Sequence, residues 1–106
     1  MSGAAAPRIA QSVIGSEHPS LAGHFPGNPV VPGVVLLDEV LAALREWQPE
    51  FVLGSIPAVK FLNPLRPGEP FSIKLEQAAR DFRFECSTPD HLLAKGTLRC
   101  RQNGAP

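Results

Sequence analysis

Hydrophobic and polar residues alternate along the last third of the chain. Every second residue is apolar in residues 71–76, 82–87 and 92–100. A period of two is typical of β-strands that bury one face and expose the other. Only residues 78–81 and 88–91 separate these segments, so the pattern predicts three antiparallel strands joined by hairpin turns.

The middle of the chain follows a helical period instead. Within residues 34–47 the apolar stripe comprises Leu37, Leu41, Leu44 and Trp47. Valines and leucines occupy most of the remaining positions, so we expect a core helix that is buried nearly all round. Pro32 and Gly33 mark its start, and Pro49 ends it because the residue before a proline is driven out of the α region.

Two further extended segments complete the predicted elements. Residues 8–14 form a short first strand with imperfect alternation, and residues 52–62 form another strand that Pro57 interrupts. A turn at residues 63–68 follows. One buried helix with four or five antiparallel strands predicts an α+β fold whose sheet curls around the helix, since no second helix is available to cover the sheet.

Composition narrows the class of protein. The 106 residues predict one domain, 1–106, with flexible ends at 1–7 and 101–106. Ten basic residues balance ten acidic ones without a basic cluster, which disfavours a nucleic-acid partner. The chain shows neither a signal-peptide core nor an apolar run long enough for a membrane span, so we expect a cytoplasmic protein. Cys86 and Cys100 lack metal-ligand spacing and are expected to be free thiols.

The chemistry is concentrated in residues 23–33, GHFPGNPVVPG. Three prolines and three glycines in eleven residues predict a rigid irregular loop that can aim a side chain. Its only ionisable side chain is His24, whose unperturbed pKa of about 6.5 suits proton transfer near neutral pH. The loop leads directly into the predicted helix, where Asp38 interrupts the apolar residues.

The run from His24 to Gly33 followed by Asp38 resembles the signature of the FabA/FabZ type of 3-hydroxyacyl-acyl-carrier-protein dehydratase, a family with the hot-dog fold. Residues 59–61 and 67–69 also resemble the family's strand and turn after the helix, and residues 94–96 its last strand. The resemblance covers roughly residues 12–100. It implies a hot-dog fold, in which an antiparallel sheet wraps one central helix.

The resemblance also implies roles for individual residues. His24 is implied as the base that takes a proton from C2 of a 3-hydroxyacyl thioester. Asp38 is implied as the acid toward the C3 hydroxyl, directly or through a water molecule. Direct donation would require the apolar wall of Val34, Leu37 and Leu41 to favour the protonated carboxyl group, whereas orienting a water molecule would not. The two groups of one site come from different subunits in the family, which implies a homodimer or a higher homo-oligomer.

Substrate contacts follow from the same comparison. The resemblance places the thioester carbonyl at the amide of Gly33, beside a helix N-terminus that favours developing negative charge. Phe25, Pro32 and Val34 are the other expected substrate-binding residues. The implied partner is an acyl carrier protein that presents its acyl chain on phosphopantetheine, and neither a metal nor another cofactor is needed.

One departure from the family keeps alternatives open. Relatives often carry a glutamine four residues after the acid, where this chain has Ala42. The activity expected is dehydration to a trans-2-enoyl thioester in fatty-acid, polyketide or polyene biosynthesis. The alternatives are a hot-dog acyl thioesterase and a non-catalytic acyl-binding or scaffold module.

Overall fold

The computed structural model describes residues 6–15 and 30–102. The elements are β1 (Arg8–Ser12), α1 (Gly33–Trp47), β2 (Phe51–Phe61), β3 (Phe71–Ala78), β4 (Asp81–Ser87) and β5 (Leu92–Gln102). The strands form one antiparallel sheet in the order β1-β3-β4-β5-β2. The predicted meander of three hairpin-connected strands is therefore confirmed as β3, β4 and β5.

The hydrophobic core lies between α1 and one face of the sheet. The helix contributes Val35, Leu36, Val40 and Leu44, and the strands contribute chiefly Phe71, Ile73, Leu75, Phe82, Phe84, Cys86 and Leu98, all buried. Trp47 and Phe51 meet Phe82 edge to face, with ring centroids 5.9 and 5.2 Å apart. The arrangement predicted from the two hydrophobic periods, one helix against an antiparallel sheet, is confirmed.

The predicted alternation is wrong at the start of β5, where the strand contains a bulge. Cys86 pairs with Ala94, but the next residue of β4, Ser87, pairs with Leu92. Leu93 is therefore an additional residue, and both Leu93 and Ala94 are buried while Leu92 is only half-buried. A strict period of two placed Leu92 inside, which is wrong because a bulge changes the face that each residue presents.

Strand β2 lies at the edge of the sheet and pairs only with β5 within the described residues. Its register shifts between Leu53 and Ser55 and again between Ser55 and Ala58, and the second interval contains Pro57. A proline has no N–H to donate, so it is accommodated at an edge or a bulge. The strand nevertheless continues from Phe51 to Phe61, so the predicted interruption is replaced by a shift of register. At its far end β5 continues to Gln102, two residues into the segment expected to be a flexible tail.

Helix α1 is not buried all round, contrary to our expectation. Val34, Asp38, Ala42 and Arg45 are exposed and recur along one side of the helix. We call these four residues the outer stripe. A single sheet covers only one side of a helix, and no described element packs over the opposite side. The valines and leucines of the sequence did not reveal this stripe, because Val34 is itself apolar yet 63% exposed.

Candidate functional site

The site begins at the main chain that opens α1. Pro32 is the N-cap, with φ −60° and ψ 145°, and no side chain caps the helix. Within the described residues the first hydrogen bond of the helix runs from the Val35 N–H to the Pro32 carbonyl, 3.0 Å away, and the amides of Gly33 and Val34 donate to no described group. Free amides at a helix N-terminus can stabilise an oxygen that carries negative charge.

Phe61 closes one side of this helix start. A Cβ atom placed on Gly33 would lie 2.7 Å from both Cε1 and Cζ of Phe61. Contacts that short do not occur, so the absence of a side chain at Gly33 lets the ring approach the main chain. The Phe61 ring is nevertheless 51% exposed, and Leu62 beside it is 45% exposed. These two residues extend the candidate site beyond the residues expected from the sequence.

A groove of about 510 Å³ opens beside the amides of Gly33 and Val34. We call it the N-terminal groove, and its apolar walls include Val31, Val34, Leu36, Phe61, Leu62 and Leu65. Asn63 is the polar residue at its margin, and its side-chain amide donates to the Leu92 carbonyl at 2.8 Å. A groove of this chemistry can hold a hydrocarbon or thioether segment of a ligand whose carbonyl reaches the amides.

Asp38 lies on the outer stripe, one turn after Val34. Its carboxylate is exposed and forms no ion pair with any described residue, Arg45 included. In a single chain Val34 is exposed, and Leu37 and Leu41 are half-buried. Asp38 therefore faces outward, where a substrate or a second subunit can reach it.

The structure brings together only part of the predicted site. Pro32, Gly33 and Val34 meet at the helix start, and Asp38 follows on the same exposed side of the helix. His24 and Phe25 lie outside the described residues, as does the rest of the segment 16–29.

A partly buried hydrogen bond beside Asp38 was not predicted from the sequence. The Ser12 hydroxyl of β1 donates to Oε1 of Glu39 at 2.6 Å, and the contact is partly buried. Because the two residues are 27 positions apart, no local pattern could have indicated the pair. The bond joins the end of β1 to the helix residue that follows Asp38.

Within the described residues, neither the Cys86 thiol nor a metal-binding cluster provides a second candidate site. Burial raises the pKa of the Cys86 thiol to about 12, which keeps it protonated and poorly nucleophilic at neutral pH. No group of three or more histidine, cysteine, aspartate or glutamate side chains in residues 6–15 and 30–102 is arranged to bind a metal. In the same residues no helix has the length and apolarity that crossing a bilayer demands.

The known proteins to which this chain is similar include several dehydratases. The family model described as ApeI-like, ApeI dehydratase, matches residues 5–97. Among curated proteins, the chain is 32% identical over 68 residues to the 3-hydroxyacyl-acyl-carrier-protein dehydratase FabZ of Fusobacterium nucleatum, covering 57% of this chain and 48% of the relative. FabZ of Chlamydia trachomatis serovar D is 33% identical over 79 residues, covering 64% and 51%. The chain thus spans about half the length of these curated relatives.

Solved structures share the architecture. The dehydratase heterocomplex ApeI:P from Xenorhabdus doucetiae superposes with a TM-score of 0.81 at 25% identity, covering 91% of this chain and 88% of that chain. The R-hydratase PhaJ1 from Pseudomonas aeruginosa superposes with a TM-score of 0.68 at 11% identity, covering 94% and 81%, and this likeness concerns the fold alone. The predicted hot-dog fold is confirmed.

Proposed function

Because the chain belongs to the ApeI-like dehydratase family, we propose that it removes water from 3-hydroxyacyl thioesters on an acyl carrier protein to give trans-2-enoyl thioesters. The observation that carries the proposal is the start of α1. There the amides of Gly33 and Val34 donate to no described group, and Asp38 lies exposed on the same helix. A site for the thioester oxygen and a carboxyl group are thus both accessible from outside the subunit.

In the proposed reaction, His24, the Gly33 amide and Asp38 each have a separate role. His24 takes the C2 proton, and the Gly33 amide stabilises the charge that develops on the thioester oxygen. The electron pair of the C2–H bond then forms the C2–C3 double bond while the C3–O bond breaks. Asp38 gives a proton to the departing hydroxyl, directly or through a water molecule, so that water leaves. A positioned acid or base typically contributes about 10²- to 10⁴-fold, and an oxyanion donor about 10²- to 10³-fold.

A second copy of the chain completes the proposed site. The outer stripe that carries Asp38 is uncovered, and β2 leaves one edge of the sheet unpaired within the described residues. Packing two copies over these surfaces would cover Val34 and bring the Asp38 of one copy toward the His24 of the other. The neighbouring ApeI:P structure is a heterocomplex, so a related hot-dog subunit is the alternative occupant of the same surface.

The test follows enoyl formation from a panel of 3-hydroxyacyl carrier proteins. We expect His24→Ala and Asp38→Asn each to lower kcat by about 10²- to 10⁴-fold. His91→Ala and Asp90→Asn are matched controls, because both residues lie exposed in the β4–β5 turn and are held there through their main-chain amides. The controls should stay within twofold of the wild type. Activity that survives both site variants would exclude these roles, and release of free thiol would indicate a thioesterase instead.

Ala42 favours a second candidate, a non-catalytic subunit of a heteromeric dehydratase. Ala42 lies on the outer stripe one turn beyond Asp38, where relatives often carry a glutamine, and its methyl group cannot hold a substrate or water by hydrogen bonding. This candidate predicts that the purified chain binds an acyl carrier substrate without converting it. Turnover by the chain alone, lost in His24→Ala, rules this candidate out.

A further inference from the structure

The N-terminal groove and Asp38 are both reached from the start of α1, but they do not overlap. The groove is lined by residues 61–65 and by the chain around the helix start, and its last helical residue is Leu36. Asp38 follows Gly33 by five positions, about 7.5 Å further along the helix axis at about 1.5 Å per residue. A thioester whose oxygen meets the Gly33 amide therefore has two directions open to it, along the helix or into the groove.

The proposed reaction assigns these two directions. The C3 hydroxyl must reach Asp38, so the acyl carbons C2 and C3 follow the helix. The sulfur atom lies on the other side of the carbonyl carbon, and it and the arm that carries it are left with the groove. The apolar walls of the groove suit methylene groups, and the Phe61 ring, which meets the main chain of Gly33, can contact the sulfur atom.

Asn63 has the only polar side chain among the described residues that line the groove. Its side-chain nitrogen donates to the Leu92 carbonyl at 2.8 Å, and its main-chain N–H donates to the Leu93 carbonyl at 3.3 Å. A carbonyl oxygen only accepts hydrogen bonds, so the bond to Leu92 fixes which end of the side-chain amide is the nitrogen. The Oδ1 atom of Asn63 accepts from no described group and is available to an N–H of a ligand.

We propose that the N-terminal groove binds the first amide-containing segment of the substrate's thioester arm, and that Asn63 determines specificity for that segment. The ligand class is an amidoethyl thioester, in which two methylene groups separate the sulfur atom from an amide N–H. This N–H donates to Oδ1 of Asn63, while the methylene groups contact the apolar walls. A phosphopantetheine arm contains this segment next to its sulfur atom. The inference rests on the proposed function, since the direction of the arm follows from the role of Asp38.

The experiment compares two butyryl thioesters, which lack the 3-hydroxyl group and therefore cannot be dehydrated. The first is the N-acetylcysteamine ester, and the second is its isostere with the N–H replaced by a methylene group. The amide chemical shifts of Gly33 and Val34 follow each titration of the purified chain. We expect the first ester to bind the wild type about three- to tenfold more tightly, because the isostere leaves Oδ1 of Asn63 without a partner.

Asn63→Leu should abolish this preference, so that the dissociation constants of the two esters agree within twofold. A purely structural role for Asn63 would weaken both esters alike and leave their ratio unchanged. Gln77→Leu is the matched control, because Gln77 also donates its side-chain amide to a main-chain carbonyl, that of Ala79 at 3.4 Å, but does not line the groove. Gln77→Leu should keep both dissociation constants within twofold of the wild type.

Three results overturn the proposal: equal binding of the two esters to the wild type, a ratio that Asn63→Leu leaves unchanged, or no shift of the Gly33 and Val34 amides with either ester. Failure of the proposed function looks different. In that case the wild type converts no 3-hydroxyacyl carrier protein but still discriminates between the esters. Dehydration without discrimination keeps the proposed function and rejects the role of Asn63.

Discussion

Cys86 and Asp38 differ in solvent exposure, and this difference decides which of the two side chains can react. Cys86 is fully buried on the inner face of β4, and burial raises the pKa of its thiol from 9.0 to about 12. Asp38 is exposed on the outer stripe. A substrate can therefore reach the Asp38 carboxylate at the helix surface. The Cys86 side chain contributes to the packing of the core.

The raised thiol pKa predicts a loss of stability at alkaline pH. Above pH 9.0 the unfolded chain ionises at Cys86 while the folded chain stays protonated until about pH 12. The free energy of unfolding contributed by this residue should therefore fall as pH rises through that window, by about 1.4 kcal/mol per pH unit. Urea unfolding of the wild type and Cys86→Ala at pH 8 and pH 10 measures the change.

Measuring both proteins at the two pH values separates the effect of thiol ionisation from the effect of lost core packing. Cys86→Ala removes buried volume at both pH values equally, so only the ionisation changes the difference between the two proteins. We expect the wild type's advantage over the variant to shrink at pH 10. A difference that stays constant between the two pH values contradicts the prediction.

At the scale of elements, the contact between β5, β4 and β2 depends on Gly96. A Cβ on Gly96 would overlap the Ala58 carbonyl oxygen of β2 and lie 2.8 Å from Cε1 of Phe84 in β4. The Ala58 oxygen belongs to the main chain and the Phe84 ring is buried, so neither can yield easily. The strands pack closely here because one residue has no side chain.

Gly96→Ala should therefore destabilise the protein by about 1–3 kcal/mol, the usual cost of overpacking. Gly54→Ala in β2 is the matched control, since its Cβ would meet only the Arg99 carbonyl at 3.3 Å. The free energy of unfolding from urea titration distinguishes them. Equal stability of the two variants would show that β2 moves away from β5 without cost.

At the scale of the whole molecule, a single sheet packed on a single helix leaves surfaces open to a partner, and two of them are close to Asp38 or to the start of its helix. The outer stripe is uncovered, and β2 has an unpaired edge within the described residues. Unpaired edges and exposed apolar residues such as Val34 are costly to leave in water and are commonly covered by a partner. The proposed subunit contact would cover both surfaces.

Sedimentation velocity should accordingly show a dimer that Ala42→Arg dissociates. The new guanidinium would stand on the outer stripe and lose its hydration in the subunit contact, so the dissociation constant should rise at least about tenfold. Ala6→Arg adds the same side chain at an exposed residue before β1 and should leave the dimer intact. An Ala42→Arg protein that remains dimeric locates the contact elsewhere.

The sequence predicted those helices and strands whose apolar residues recur at a regular spacing. Alternation identified β3, β4 and most of β5, and the helical stripe identified α1, because each pattern reflects burial on one face. The face of α1 that remains open was not predicted, since Val34 is as apolar as the buried Val35. The Leu93 bulge was also missed, because it depends on how β5 pairs with β4.

The residues of the candidate site were likewise only partly predictable from the sequence. The motif predicted Gly33 and Asp38 as site residues, and the structure places both on one helix. Phe61 and the Ser12–Glu39 bond depend on approach between distant parts of the chain, and nothing local to either residue indicates the contact. The roles of His24 and Phe25 remain predictions for residues outside the described ranges.

Residues 65–68 form two main-chain hydrogen bonds with earlier residues, from the Gly68 amide to the Ile14 carbonyl and from the Val31 amide to the Leu65 carbonyl. Anchoring of this kind does not depend on which side chains lie between the two attachment points. Side-chain substitutions between Ile14 and Val31 can therefore accumulate without loss of these two hydrogen bonds.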